Sequence, residues 1–478
     1  MANARPKLHF RPKLKVIDEE QKREIHFAAL EVLERTGVKI THGRALDILS
    51  SSGARVSGNR VRFPAWLVED AIRKAPSRLV LGNRSGERSV FLEGDRSWFG
   101  PSLDCMEYLD PDTNERLPFT TDHCRITTSL ADFLPNFDWA MVIGMADNVP
   151  PEISDRVVAR QALSYSEKPL VFCCHSAENE KDIFDMALLI CGGKEKFEHA
   201  PTIVHYSEPI SPLTYYDPAI DKILFSVKNG IPLINLSAPQ LGATAPASFA
   251  GTIVQGCAES LSGLVLAQVV RPGAPFIFGS QTTIMDMKTS IFSYGATEMS
   301  LMISAMAEMA QYYSLPFYST AGATDARFND PQAGVEATFQ TLTAAAVGSS
   351  LVHDCSSWLD HGSLVSPAYM VLVNEILCMV NQFMQGIEVS RETVVVDLID
   401  KVGPGGNYLQ ENHTVENFKT VWYSDLFDRS IYNIWQAKGA KVFEERLREK
   451  TLAAMAHEPT PLEPAVVKEL DKMQDHWK

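Results

Sequence analysis

No two cysteines in this chain have the C-x-x-C spacing of a metal or redox site. There is no H-E-x-x-H and no close His-x-His either, so nothing argues for zinc and no metal is expected. The eight cysteines lie mostly inside apolar runs and read as buried, reduced thiols. Adjacent Cys173 and Cys174 are the oddity, since sequence neighbours do not easily chelate one ion. G-x-x-x-x-G-K-[ST], G-x-S-x-G and a strand-linked G-x-G-x-x-G are also missing, which removes the commonest phosphate, esterase and dinucleotide signatures. Long apolar runs are absent too: the stretches around Ser260–Val270 and Met299–Met309 are broken by Ser, Gln or Glu and fall short of the ~20 residues of a membrane span. The first residues lack the apolar core of a signal peptide, so the expectation is a cytoplasmic protein with no membrane partner. Positive charge is in deficit, at 44 Lys and Arg against 59 Asp and Glu. The net charge of −15 argues against nonspecific nucleic-acid binding.

What is present is a repeated sentence. L-P-F-Y-S-T-A-G-A-T-D from Leu315 has a proline, then strand formers, then small polar residues. The same order recurs from Lys168, Ala200, Ile231 and Ala274, each time between amphipathic stretches. Proline suits the first residue of a strand, whose N–H the ladder does not yet need. Apolar strands between helices suit a parallel sheet covered on both faces.

Three regions follow. Residues 1–96 read as an α+β brace: a basic extended arm to 17, helices at Glu19–Gly37, 42–51 and 64–74, and short strands between and after them. Residues 97–386 give eight strands alternating with eight helices, the TIM-barrel count. Strand one is read at Ser97–Ser102, strand two at Phe137–Ala146, strands three to seven at the proline units and strand eight at Ser349–Cys355. A doubly wound open sheet is the weaker alternative. Residues 387–478 read as a C-terminal extension packed on the barrel, with one long charged helix from about Ile434 to Met455.

Barrel chemistry gathers where strands end. Aligning the five units on proline puts Val171, Ile203, Ile234, Ile277 and Tyr318 in the second position, bulky and therefore expected against the helices. The odd positions become the expected inward layer, with Tyr206, Asn235 and Phe278 among them. Setting Ser350 in the proline slot of strand eight adds His353. His205 falls on the outward parity, and Glu208, Gln281 and Asp325 fall on mouth loops. A mouth of aromatics and small polar groups suits an organic cation, which aromatic faces attract.

Several stretches together resemble the trimethylamine methyltransferase (MttB-like) superfamily: the proline-led strands, S-T-A-G-A-T-D-A-R at 319–327, T-A-A-A-V-G-S-S at 343–350 and above all the tail V-G-P-G-G-N-Y-L-Q-E-N-H-T at 402–414. The likeness covers nearly the whole chain, and it implies a TIM barrel. Trimethylamine-specific members contain pyrrolysine. This chain has ordinary residues throughout and so resembles the branch without it, whose substrates include quaternary amines such as glycine betaine. The resemblance implies methyl transfer from glycine betaine to cob(I)alamin, giving dimethylglycine and methylcobalamin. Carnitine, proline betaine or a non-catalytic betaine-binding barrel are the alternatives. D-x-H-x-x-G, the cobalamin signature of the family's partners, is missing, so the cofactor is expected on a separate corrinoid protein and not bound permanently. A homo-oligomer is expected. For such a substrate, Tyr206, Phe278 and Phe99, with Trp358 in reserve, are the expected aromatic faces for the trimethylammonium end. His353, Asn235, Gln281 and Arg327 are the expected donors for the carboxylate. No catalytic acid, base or nucleophile is assigned.

Overall fold

The computed structural model describes residues 11–355 and 358–477. Eight parallel strands make one curled sheet: β1 (Trp98–Phe99), β2 (Ala140–Met141), β3 (Leu170–Phe172), β4 (Ile203–Ser207), β5 (Leu233–Ser237), β6 (Phe276–Ser280), β7 (Phe317–Thr320) and β8 (Leu351–His353). Their order is β1-β8-β7-β6-β5-β4-β3-β2, the cyclic order of a TIM-type barrel. A helix follows each strand: α1 (Thr121–Phe133), α2 (Pro151–Tyr165), α3 (Ala177–Cys191), α4 (Asp217–Asn229), α5 (Phe249–Val270), α6 (Thr297–Tyr312), α7 (Pro331–Val347) and α8 (Pro367–Met384). β1, β2 and β8 are shorter than the sequence suggests.

The prolines do what their chemistry allows. Pro169, Pro232, Pro275 and Pro316 offer no N–H, but each carbonyl accepts a bond from the neighbouring strand, at 2.8, 2.9, 3.0 and 2.9 Å respectively. The first and last strands meet at Asp138. Its backbone N–H donates to Phe99 O at 2.7 Å, and its carboxylate accepts from Phe99 N–H at 2.9 Å. Burial pushes the Asp138 carboxyl up to about 6, against the bond from Phe99.

The ladder corrects the expected inward layer. Tyr318 on β7 stacks on His353 of β8 at 4.3 Å and meets Tyr206 of β4 edge-on at 5.9 Å, a contact possible only through the barrel interior. The inward set therefore includes Val171, Val204, Tyr206, Ile234, Ile277, Tyr318 and His353. Phe99, Asn235 and Phe278 alternate with these residues and face the helices, contrary to expectation. Bulk was the misleading sign: Val171, Ile234, Ile277 and Tyr318 fill the barrel interior, so the odd positions of those four units face out, while Ile203 pairs with Leu170 and so the proline of β4 sits one step earlier, which alone turns its odd positions inward.

A helix at Glu19–Glu31 continues as a wider turn to Thr36, followed by helices at Gly43–Ser51 and Ala65–Lys74 and a small sheet. The first and last of these helices pack on α5. Residues 11–17 are extended, with the N–H groups of Val16 and Ile17 donating to buried Glu308; the rest of the expected arm lies outside the described residues. α5 is the one helix among the described residues long and apolar enough for a membrane, and 78% of its apolar window is buried inside the fold.

The C-terminal region departs from expectation. The long charged helix is broken into Tyr432–Ala437 and Phe443–Met455, with Gly439 at φ 100° and Ala440 at φ 54° between them. Phe443–Met455 packs on α8 and α1, and Pro464–Asp475 packs on α3. Residues 387–442 touch the body chiefly around Ser424–Phe427, through Glu375 of α8 and Phe443.

Candidate functional site

The ends of β1 to β4 open onto a cavity of about 260 Å³. Asp104 comes from the loop after β1, Cys173, Cys174 and His175 follow β3, Tyr206 closes β4 and Glu208 follows it, while Asp155 and Lys222 reach in from α2 and α4. Two carboxylates stand on its wall. Tyr206 Oη donates to Glu208 Oε2 at 2.8 Å, and Cys173 Sγ donates to Asp104 Oδ1 at 3.5 Å. Both acids are solvent-exposed at the cavity, with the surrounding wall still withdrawing part of their hydration. Desolvation raises the pKa of each, and Asp104 raises Glu208 further.

A lysine and a histidine stand opposite these acids. Lys222 Nζ donates to Cys174 O at 2.6 Å. His175 Nδ1 lies 3.2 Å from Asp155 Oδ2, and Asp155 is fixed by two bonds from Asn179 at 3.0 Å. The cavity thus carries both signs of charge beside an aromatic ring.

The ends of β6 to β8 hold a second, drier set. Asp354, fully buried and raised by desolvation, sits 2.8 Å from His353 Nδ1. His353 Nε2 is 2.7 Å from Thr320 Oγ1. Gln281 Nε2 approaches Tyr294 Oη at 3.4 Å and Asp354 Oδ2 at 3.5 Å. Tyr294 meets the Trp358 ring edge-on at 4.8 Å, and Trp358 Nε1 donates to Leu103 O at 2.7 Å. Asp325 Oδ1 accepts from Tyr294 N–H at 2.9 Å and so holds that ring in place. Asp104 and Asp354 have φ of 58° and 67°, a left-handed backbone that costs a non-glycine residue of order 1 kcal/mol and clusters at functional sites.

Of the eight expected substrate residues, Tyr206, Gln281, His353 and Trp358 gather at the mouth. Three do not. Asn235 bonds Tyr215 Oη on the helix side, Phe278 packs on Tyr313 and Phe99 lies at the outer face of the seam. Arg327 is exposed on a loop, 3.7 Å from Asp360. Asn235 and His353 have separate partners on opposite faces of the sheet. Asp104, Asp354, Tyr294, His175 and Lys222 carried no signal in the sequence, because each lies on a loop or a helix flank.

One group beneath the cavity has metal-ligand chemistry: Cys174, Glu180 and His205 present ligand atoms within 4.8 Å of one another. Hydrogen bonding already occupies part of it. Ser226 Oγ donates to Glu180 Oε1 and lies 2.8 Å from His205 Nδ1. Burial pushes Glu180 up to about 8 and His205 well below its ordinary value, with Lys222 adding to the second effect. A divalent cation there would displace the Glu180 proton and face the Lys222 charge.

The fold and the site define a parallel α/β barrel with a small, charged, aromatic-walled pocket at the C-terminal ends of its strands. The chain matches the family described as Trimethylamine methyltransferase (MTTB) over residues 2–476, and it belongs to that family. It is 33% identical to trimethylamine methyltransferase MttB of Desulfitobacterium hafniense, across 93% of this chain and 90% of that one. It is 30% identical to a glycine betaine methyltransferase of the same species, across 89% of each. The crystal structure of monomethylamine methyltransferase MtmB from Methanosarcina barkeri matches with a TM-score of 0.52 and 12% identity, over 95% of this chain and 88% of that one, a likeness of fold alone.

Proposed function

We propose that this protein is a cytoplasmic enzyme that transfers a methyl group from glycine betaine to cob(I)alamin on a separate corrinoid protein. The observation that carries this reading is the double sign of the cavity. Asp104 and Glu208 stand beside the Tyr206 ring, while Lys222 and His175 line the same space. A betaine has one charge of each sign a few bonds apart. Its trimethylammonium end is drawn to carboxylates and an aromatic face, and its carboxylate needs donors. Lys222 and His175 replace His353 as the first donors in this reading, because His353 Nε2 is engaged by Thr320 and its Nδ1 faces Asp354 inside the barrel, away from the cavity wall.

The chemistry asks little else of the chain. A quaternary nitrogen leaves with the C–N bonding pair as a neutral tertiary amine, so no general acid is required. The acceptor is a co-substrate that supplies the electron pair for the new bond to carbon. The protein's work is to hold the methyl carbon in line and keep water away. Raised carboxyl groups suit that work, since an arriving cation favours their ionised forms and binding then releases protons.

The test is incubation with reduced corrinoid protein and glycine betaine, following conversion of the cob(I)alamin absorbance to that of methylcobalamin, with carnitine and proline betaine in parallel. Conversion with glycine betaine is the expected result. No change with any betaine refutes methyl transfer, and conversion only with another betaine refutes the substrate.

A further inference from the structure

A basic surface on this acidic chain lies on the N-terminal brace. Four short strands make one small sheet there, in the order Thr214–Tyr215, Val38–Ile40, Arg60–Arg62 and Arg55–Ser57. One face is apolar: Val38, Ile40, Val61 and Tyr215 are buried. The other face carries cations in register. Lys39 stands directly opposite Arg60, and Arg62 directly opposite Arg55. Opposed residues of antiparallel strands share a face, as do residues two apart on one strand, so all four side chains leave the sheet on the same side.

Like charges in directly opposed positions destabilise a sheet, and this small sheet holds two such pairs. The chain's own acids do little to offset them. Glu34 lies 3.8 Å from Arg55, an exposed pair of small worth. Arg62 Nε donates to the Arg35 carbonyl at 2.9 Å, a neutral acceptor. The side chains of Lys39 and Arg60 are exposed and bond no described residue. Yet the chain as a whole has a net charge of −15.

Lys39 and Arg60 line a groove of about 590 Å³ between the sheet and Pro212–Thr214 of the loop after β4. Thr36, Ser57 and Asn59 add neutral donors, and among the described residues no carboxylate lines it. Its walls are fixed before any ligand arrives, which lowers the cost of binding. Lys39 N–H donates to Leu213 O at 2.8 Å, and Glu259 of α5 holds the loop through Ser211 Oγ at 2.7 Å and Leu213 N–H at 2.9 Å.

We propose that this groove binds a small phosphate-bearing anion with two or more negative charges. Arginine's planar fork matches phosphate oxygens, and the lysine opposite adds a point charge. Offsetting two opposed cations takes more than one negative charge. The volume falls in the ~300–1,000 Å³ range of small-molecule sites. A long polyanion such as nucleic acid is the poorer occupant, because the acidic remainder of the chain repels it. This inference stands apart from the methyl-transfer reading, since the groove shares no residue with the cavity.

Calorimetric titration of the full chain with inorganic pyrophosphate in low-salt buffer tests it, alongside Lys39→Gln, Arg60→Gln and, as a control, Lys468→Gln at an exposed site on the last helix. The expected result is one equivalent bound by the parent and the control, with affinity lower by about tenfold in each groove variant. Without the anion, the groove variants should melt no lower than the parent, because each removes half of a like-charge pair. The parent should not pellet with vesicles of anionic phospholipid. No binding by the parent overturns the proposal, and so does equal binding by the parent and both groove variants. Both groove variants melting lower would mean that the fold itself satisfies these cations, which also overturns it. Pelleting with vesicles that is lost in the groove variants overturns it in favour of a lipid headgroup. A parent that binds no pyrophosphate, but whose groove variants lose the corrinoid protein, overturns it in favour of that partner.

Discussion

Replacing Glu180 by Gln isolates one buried proton. Glu180 is fully buried on α3, with Ser226 Oγ donating to it and His205 Nδ1 3.3 Å away. Desolvation raises its pKa from 4.5 to about 8, with Ser226 and Lys222 acting in the opposite direction. A folded-state pKa above the unfolded value means stability that is complete below pH ~4.5 and is lost as pH rises through ~8. Between pH 7 and 9 the folded group goes from about nine-tenths to about one-tenth protonated, while the unfolded one is ionised throughout. That interval removes about one proton-unit of linkage, or about 1.4 kcal/mol. Glutamine keeps the shape and the acceptor for Ser226 but cannot ionise. At ~2.1 cal/mol/K per residue, the unfolding entropy of a chain of 478 residues is about 1 kcal/mol/K. The parent should therefore lose about 1.4 °C more of melting temperature than Glu180→Gln between pH 7 and pH 9. Lys168, whose pKa is lowered to about 8, works in the other direction over the same interval, so the difference between the two proteins is the measurement and not either curve alone. Scanning calorimetry resolves it. Parallel melting-temperature profiles would refute a neutral buried Glu180 and revive the case for an ionised, cation-binding cluster with Cys174 and His205.

Two further outcomes follow from the geometry. Tyr206→Leu removes the aromatic face of the cavity and should weaken glycine betaine binding by about 1–2 kcal/mol, five- to thirty-fold by calorimetry, while Tyr206→Phe keeps the face and loses only the bond to Glu208. Equal affinity for the parent and the leucine variant would remove Tyr206 from the site. Gly263→Ala puts a methyl carbon 2.5–2.7 Å from the side-chain atoms of buried Asn235, where α5 crosses β5, and should destabilise the fold by about 1–3 kcal/mol, or about 1–3 °C. An unchanged melting temperature would show that Asn235 moves aside freely.

The barrel was legible because proline at a strand entry and an apolar run behind it are local properties, and five copies in order leave few topologies. Facing was not legible, for a physical reason. The interior of a TIM barrel and its helix interface are both packed with branched apolar residues, so the size of Val171 or Ile277 cannot say which way it points. A single proline one step out of line at β4 then made Tyr206 and Asn235 look alike, although one opens on the cavity and the other bonds Tyr215 under a helix. Tyr318 offered the way out: an aromatic ring large enough to cross the barrel and touch residues on both β4 and β8. The acids of the site lay deeper still. Asp104, Glu208 and Asp354 sit on three separate loops after β1, β4 and β8, each more than a hundred residues from the next, and of the three only Glu208 falls where the proline alignment marks a mouth loop. Only closure puts Asp104 within electrostatic reach of Glu208, and Glu208 and Asp354 together within reach of Tyr206.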